Sequence, residues 1–284
     1  MSETVLLTGA AGMIGVRAVQ GLLASGKKVI GLDLKESPVR EENYTHVIAD
    51  LADPAAVKHI FDVYGADRVI HLAALAHAAG TSAFSKDDYY RANVLCADHV
   101  FDAAAEKSIP VLFISTADVY GFVKGIATPQ SVPHPVTVYG KTKYLAEQKL
   151  KTRCSRYDIF RFAPVYTDEI KRDIQKRYYF RYPDWAYIIG GGMDYEFLYI
   201  DTAVRRMVAW CDEAPSETIY NIKNAELINT AECLKEERAA GRAKHILHFP
   251  QWLIHFGFGV LCCLTGKNKY TYLLNKAVHP LRTE

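Results

Sequence analysis

Tyr139 and Lys143 stand four residues apart in a stretch of helical character, Tyr139–Thr152. That spacing puts a phenol and an ammonium on one helix face as neighbours. A phenol titrates near pH ~10 and is a poor base at neutrality. A nearby ammonium favours the phenolate and lowers that value, which makes the pair a device for moving protons. Ser115 and Thr116 close the apolar run VLFIS (Val111–Ser115), with Thr116 lying 23 residues before Tyr139. Either hydroxyl could hold a reacting oxygen at the same place. The Tyr-Lys spacing alone also fits an amphipathic helix that packs its ring and solvates its lysine. Its meaning comes from what surrounds it.

A second constellation opens the chain. Thr8-Gly9-Ala10-Ala11-Gly12-Met13-Ile14-Gly15 sits where an apolar strand turns into a helix. Glycines there allow positive φ, let backbone approach a pyrophosphate, and let helix and strand pack closely. The helix start adds free N–H groups at Met13, Ile14 and Gly15 and a partial positive charge. Asp33 follows 18 residues after Gly15, at the end of the next strand. A carboxylate there accepts from both adenosine ribose hydroxyls and repels a 2′-phosphate, so NAD is expected. Lys35 keeps NADP open. Asp50 and Leu51 follow the third strand, where a carboxylate can meet the adenine amino group. Leu72, Ala73 and Ala74 follow the fourth, where small residues leave room for a cofactor or simply pack.

The elements that must position these groups alternate. Val5–Thr8, Lys28–Asp33, Thr45–Asp50, Arg68–Ala73, Val111–Ser115 and Asp158–Phe162 read as strands. Ile14–Ser25, Ala55–Tyr64, Asp87–Lys107 and Tyr139–Thr152 read as helices between them. Such alternation predicts an α/β fold of the Rossmann type, a doubly wound parallel sheet with ligands bound at its carboxyl edge. After Pro164 the rhythm breaks. Tyr195–Ile200 (YEFLYI) alternates like a strand, Thr202–Trp210 looks helical, and Thr218–Ile222 is another short strand. Residues 1–165 are expected to form the cofactor domain, and 166–284 a smaller substrate-binding lobe interleaved with it.

Composition narrows the classes. Half of the 284 residues are hydrophobic and 23% are charged, so a large core is available and global disorder is excluded. A net charge of +2 is too balanced for a protein whose whole surface lives on nucleic acid or anionic membrane. The six cysteines show no CxxC spacing, so neither a metal site nor a disulfide framework is expected. That pattern, and an opening Met1-Ser2-Glu3-Thr4 with no basic leader, point to a cytoplasmic protein. The most apolar stretch, Trp252–Leu264, has 13 residues, short of the roughly 20 needed to span a bilayer. It reads as a core-packed helix, with membrane-surface contact as the alternative.

Taken in order, TGAAGMIG (Thr8–Gly15), Asp33, Asp50-Leu51, HLAA (His71–Ala74), YYRANV (Tyr89–Val94), ISTADVYG (Ile114–Gly121), YGKTK (Tyr139–Lys143) and RFAPVY (Arg161–Tyr166) resemble one family over the first 166 residues. It is the extended short-chain dehydrogenase/reductases, in their NAD-dependent nucleotide-sugar epimerase/dehydratase group. The resemblance implies that Tyr139 is the acid/base, Lys143 its pKa-lowering partner, and Thr116 the hydroxyl holding the reacting oxygen. It implies that Asn93 supports the active-site structure and that Ser115, Ala163 and Val165 flank the cofactor. It also implies a sugar-nucleotide substrate and a homodimer formed by the Asp87–Lys107 and Tyr139–Thr152 helices.

Within that group the residues favour a 4-epimerase, with a 4-keto-sugar reductase as the alternative. A 4,6-dehydratase resembling this chain carries an acid/base pair directly after the threonine, and Ala117-Asp118 stand there instead. The second lobe departs further. Thr167-Asp168-Glu169 replace a GPG-like run, and Tyr195 stands where the family has a diphosphate-binding arginine. Arg172, Lys176, Arg177, Arg181, Arg205 and Arg206 are candidates to replace that charge, and each also reads as a solvated surface cation. These departures leave room for a non-catalytic NAD(H) sensor.

Overall fold

The computed structural model describes residues 2–76, 84–123, 125–180, 184–265 and 276–284. Apolar runs too continuous for a one-sided sheet become strands buried on both faces. Thr4–Thr8 (β1), Lys28–Asp33 (β2), Tyr44–Ile48 (β3), Arg68–His71 (β4) and Val111–Thr116 (β5) join Tyr157–Phe162 and Ile219–Ile222 in one parallel sheet. The spatial order is Ile219–Ile222, Tyr157–Phe162, β5, β4, β1, β2, β3. Its edge strand Ile219–Ile222 therefore comes from the second half of the chain.

Strand side chains alternate between the faces. Leu6, Ile30 and Val69 pack with the helices Pro54–Tyr64 and Cys96–Glu106, and Ala146 and Leu150 of Val138–Arg153 complete that layer. Val5, Leu7, Val29 and Ile70 face the other way, against Met13–Ala24 and Ile200–Cys211. The strand order reverses between β1 and β4, so the loops after these two strands part at one crevice. The long helix expected over Asp87–Lys107 is present, with one π turn, Arg91–Leu95, inserted after Lys86–Tyr90.

Two expectations are corrected. YEFLYI is not a continuous strand. Asp194–Tyr195 pairs with Ile228–Asn229, Leu198–Tyr199 pairs with Val165–Tyr166, and a helix begins at Ile200. Glu196 interrupts the ladder because its carboxylate accepts from the Thr283 N–H and hydroxyl and from Lys223.

The apolar stretch does form a helix, Gln251–Thr265, but it is not core-packed. Among its described side chains only Ile254 and Phe258 are half-buried, whereas Trp252 is 68% and Phe256 66% exposed. Other helices cover both sheet faces, and the separate core of the second half, around Tyr178, Phe197 and Leu234, includes none of its side chains. No helix among the described residues is long and apolar enough to cross a membrane.

Candidate active site

The β1 loop is built for backbone approach. Gly9 has φ +73°, and a Cβ there would lie 2.8 Å from the Ala73 nitrogen; one on Gly15 would lie 2.0 Å from the Gly9 carbonyl oxygen. The Thr8 hydroxyl ties this loop to the one after β4 by accepting from the Leu72 and Ala73 N–H groups, at 3.2 and 3.1 Å. With both lone pairs engaged, that hydroxyl donates to His71 Nδ1 at 2.9 Å, so the ring proton sits on Nε2. Burial, with a smaller push from Lys143, lowers the His71 pKa to about 3, which keeps the ring neutral. The Met13–Ala24 helix begins at Gly12 with no side-chain cap, leaving its first N–H groups facing the crevice.

One cleft of about 970 Å³ gathers nearly every residue singled out in the sequence, from Gly9 and Gly12 through Asp33, Leu51, Ala74 and Thr116 to Tyr139, Lys143, Ala163 and Val165. Asp33 lies in it with its carboxylate held by the Ala11 N–H at 3.0 Å and the Lys35 N–H at 3.1 Å. Asp50 also lines it. The Ala52 N–H and then Arg91, 2.7 Å away, hold its carboxyl below the ordinary range. Asn93 is the exception. It is buried away from the cleft, where it accepts from the Leu75 N–H and donates to the Leu75 carbonyl and the Thr142 hydroxyl. It thereby pins the loop after β4 to the helix that carries Tyr139.

Tyr139 and Thr116 line the same cleft, near enough that the Thr116 hydroxyl acts on the phenol's titration. The direction of the phenol's shift is the reverse of the one expected. Burial first, then the charge of Asp118, push the Tyr139 pKa above its usual value, against the opposing effect of Thr116. Lys143 is 1% exposed, with its ammonium 4.0 Å from the centre of the Phe113 ring. Burial lowers its pKa to about 7, with Glu147 pulling the other way. Burial thus favours the neutral form of both groups in the protein alone. An added positive charge beside the phenol would draw it toward phenolate.

Two supports were not legible in the sequence. Glu147, one turn beyond Lys143, is wholly buried and accepts from Arg161 at 3.0 and 2.6 Å and from the Ser115 hydroxyl at 2.5 Å. Ser115 reaches the cleft, but its hydroxyl serves this ion pair. Thr137 caps the Val138–Arg153 helix by accepting from the Gly140 N–H at 2.8 Å, and its own hydroxyl donates to the Asp118 carboxylate.

The second half supplies a basic wall. Tyr195 is buried and donates to the Ala277 carbonyl at 2.8 Å. Arg177 lies 4.8 Å over its ring, lines the cleft, and keeps a buried Nε with no hydrogen-bond partner among the described residues. Lys276 and His279, which the sequence reading passed over, line the same wall. Arg282–Thr283 brings them there by pairing with Ile126–Ala127. Of the six cations weighed as replacements for the missing arginine, Arg177 alone among the described ones borders the cleft; Arg181 lies outside the described residues. No cluster of His, Cys, Asp or Glu among the described residues could hold a metal ion.

A parallel doubly wound sheet with a glycine cradle at its switch point defines a dinucleotide-binding protein of the Rossmann type. A family model, NAD dependent epimerase/dehydratase family, matches residues 5–222, and the chain belongs to that family. The UDP-glucose 4-epimerase of Drosophila melanogaster is 32% identical over 174 residues, 53% of this chain and 48% of that protein. The chain thus spans about half the length of the curated relatives it matches. The UDP-Glc/GlcNAc 4-epimerase of Campylobacter jejuni superposes with a TM-score of 0.73 at 18% identity, covering 88% of this chain and 87% of that one. A UDP-glucuronic acid 4-epimerase from Bacillus cereus, solved in complex with NAD, gives 0.70 at 23% identity, covering 86% and 87%. At these identities the structural likeness speaks for the fold.

Proposed function

We propose that this chain is an NAD-dependent nucleotide-sugar 4-epimerase that works through transient oxidation at C4. The observation carrying this reading is that Thr116, Tyr139 and the buried Lys143 line one cleft with the glycine cradle. The cradle suits a pyrophosphate, because a Cβ at Gly9 or Gly15 would collide with backbone and the adjacent helix start is uncapped. The carboxylate of Asp33 would take the adenosine ribose. NAD, when bound, supplies the acceptor and donor of hydride.

The chain's own groups do the rest. Thr116 holds the C4 oxygen beside Tyr139. Tyr139 removes the hydroxyl proton as C4 is oxidised and returns it when C4 is reduced on its other face. The phenol is neutral in the protein alone; positive charge from Lys143 and from NAD, when bound, would draw it toward the phenolate. Arg177 and Lys276 supply positive charge for the substrate diphosphate in place of the arginine that Tyr195 displaces. The chain works as a homodimer; Leu95 and Leu145, 37% and 46% exposed on the two implied interface helices, suit such a contact.

Incubation with a panel of UDP-, GDP- and dTDP-sugars tests the reading. The expected result is interconversion of C4 epimers with no net consumption of cofactor, lost by about 10²–10⁴-fold in Tyr139→Phe. Stoichiometric consumption of reduced cofactor would make the chain a ketoreductase. No turnover of any member, with NAD bound, would make it a sensor.

A further inference from the structure

A helix that is apolar all round belongs in a protein core or in lipid. The helix Gln251–Thr265 contains no Asp, Glu, Lys or Arg, and it is not in the core. Ile254 and Phe258, four apart, form the single half-buried stripe among its described side chains. Trp252, Phe256 and Leu264 are 66–76% exposed. Among the described residues, a Cβ built on Gly257 or Gly259 meets nothing within 4 Å. Fifteen residues at about 1.5 Å each give a rod of roughly 22 Å, which is too short to cross a bilayer of ~30 Å and long enough to lie in its surface.

The sequence around the helix says what covers it. From Arg238 to Lys276 there is no acidic residue, although the whole chain carries 32. The same stretch holds Arg238, Lys267 and Lys269, the last two outside the described residues, while its Arg242 and Lys244 are ion-paired with Glu237 and Asp184. An exposed apolar rod flanked on both sides by basic residues matches an anionic lipid surface, where rings enter the acyl boundary and cations meet headgroups. A protein partner of similar apolarity would not need the acid-free flanks.

We propose that Gln251–Thr265 is an interfacial anchor that docks this chain on an anionic phospholipid bilayer without crossing it. The His255 ring lies 5.4 Å from the His279 ring, and His279 lines the cleft, so docking brings the substrate wall close to the membrane. The anchor does not depend on the reaction assigned to that cleft.

The test is co-sedimentation of the full chain with vesicles of pure phosphatidylcholine and of phosphatidylcholine containing phosphatidylglycerol. The expected result is pelleting with the anionic vesicles that falls steeply with salt, and at least about tenfold weaker binding in Trp252→Glu/Phe256→Glu. Lys267→Glu/Lys269→Glu, which leaves the rod intact, should weaken anionic binding by a similar factor. Unchanged NAD binding in both variants shows that they fold. Failure of the wild-type chain to pellet above its lipid-free control overturns the proposal. So does a lipid-free assembly mass that Trp252→Glu/Phe256→Glu lowers, which would make the helix a contact between copies of the chain.

Discussion

The carboxylate of Asp118 accepts a hydrogen bond from Thr137, the residue that caps the helix two positions before Tyr139. Asp118 therefore touches the phenol in two ways: it sets where the helix begins, and its charge holds the Tyr139 proton on. Replacing it with asparagine keeps an acceptor for Thr137 and removes the charge. In Asp118→Asn the limb of the pH–rate profile that reports Tyr139 should move to lower pH, with KM little changed. Thr137→Ala should instead cost about 1 kcal/mol of stability through the lost cap. An unmoved limb in Asp118→Asn would show that its charge does not reach the phenol.

Lys143 should make stability rise with pH in a window set by its own titration. Its native pKa of about 7 lies below the ordinary lysine value of 10.5, so the unfolded chain binds the proton more tightly. The penalty for the buried ammonium is complete below pH 7, shrinks as pH climbs toward 10.5, and is absent above it. Compared with Lys143→Met, the wild-type protein should gain on the order of 2 kcal/mol between pH 6 and pH 9. Urea denaturation of both proteins at the two pH values checks this, and parallel profiles would refute it.

Arg177 is expected to act on substrate alone. Its guanidinium rests on Tyr195 in the same cleft as the glycine cradle, and its buried Nε has no acceptor among the described residues. Arg177→Ala should raise KM for a sugar nucleotide by about tenfold or more, as loss of a charge-assisted contact does. Its affinity for NAD should be unchanged. Equal losses for both ligands would place the defect in folding instead of in diphosphate binding.

Glu147 and Arg161 lie within the core, at 0% and 2% exposure, joined by two short contacts. Removing one partner leaves the other charge buried without compensation, which costs about 3–5 kcal/mol. Glu147→Leu should fall in that range by chemical denaturation. Ser115→Ala, which removes a lesser contact to the same carboxylate, should cost about 1 kcal/mol. A Glu147→Leu protein as stable as wild type would show the pair to be replaceable by packing.

The sequence made most of the first half legible because its signals are local. The strand ending at Thr8, the glycines after it and the helix from Met13 lie within one short stretch, and the four-residue spacing of Tyr139 and Lys143 fixes their shared face. Glu147 and Arg161 are 14 residues apart on a helix and a strand, and no periodicity couples them. Lys276 and His279 reach the cleft through the pairing of Arg282–Thr283 with Ile126–Ala127, a contact that spans more than half the chain. The apolar helix misled for a related reason. Composition states that a surface needs cover and is silent on whether the cover is protein. For the phenol, spacing pointed to a helix face shared with Lys143, whereas burial set the direction of the shift.

Asp33 has a consequence for how a ligand is greeted. Its carboxylate is already held by two backbone N–H groups, from Ala11 on the glycine loop and Lys35 just beyond the strand. The side chain has thus surrendered its rotamer freedom during folding, and a ribose arriving at the cleft does not have to immobilise it. Ordering a free side chain at binding costs about 0.5–1.5 kcal/mol. This carboxylate is preorganised, and its share of the affinity comes as much from motion forgone in advance as from the contacts it will make.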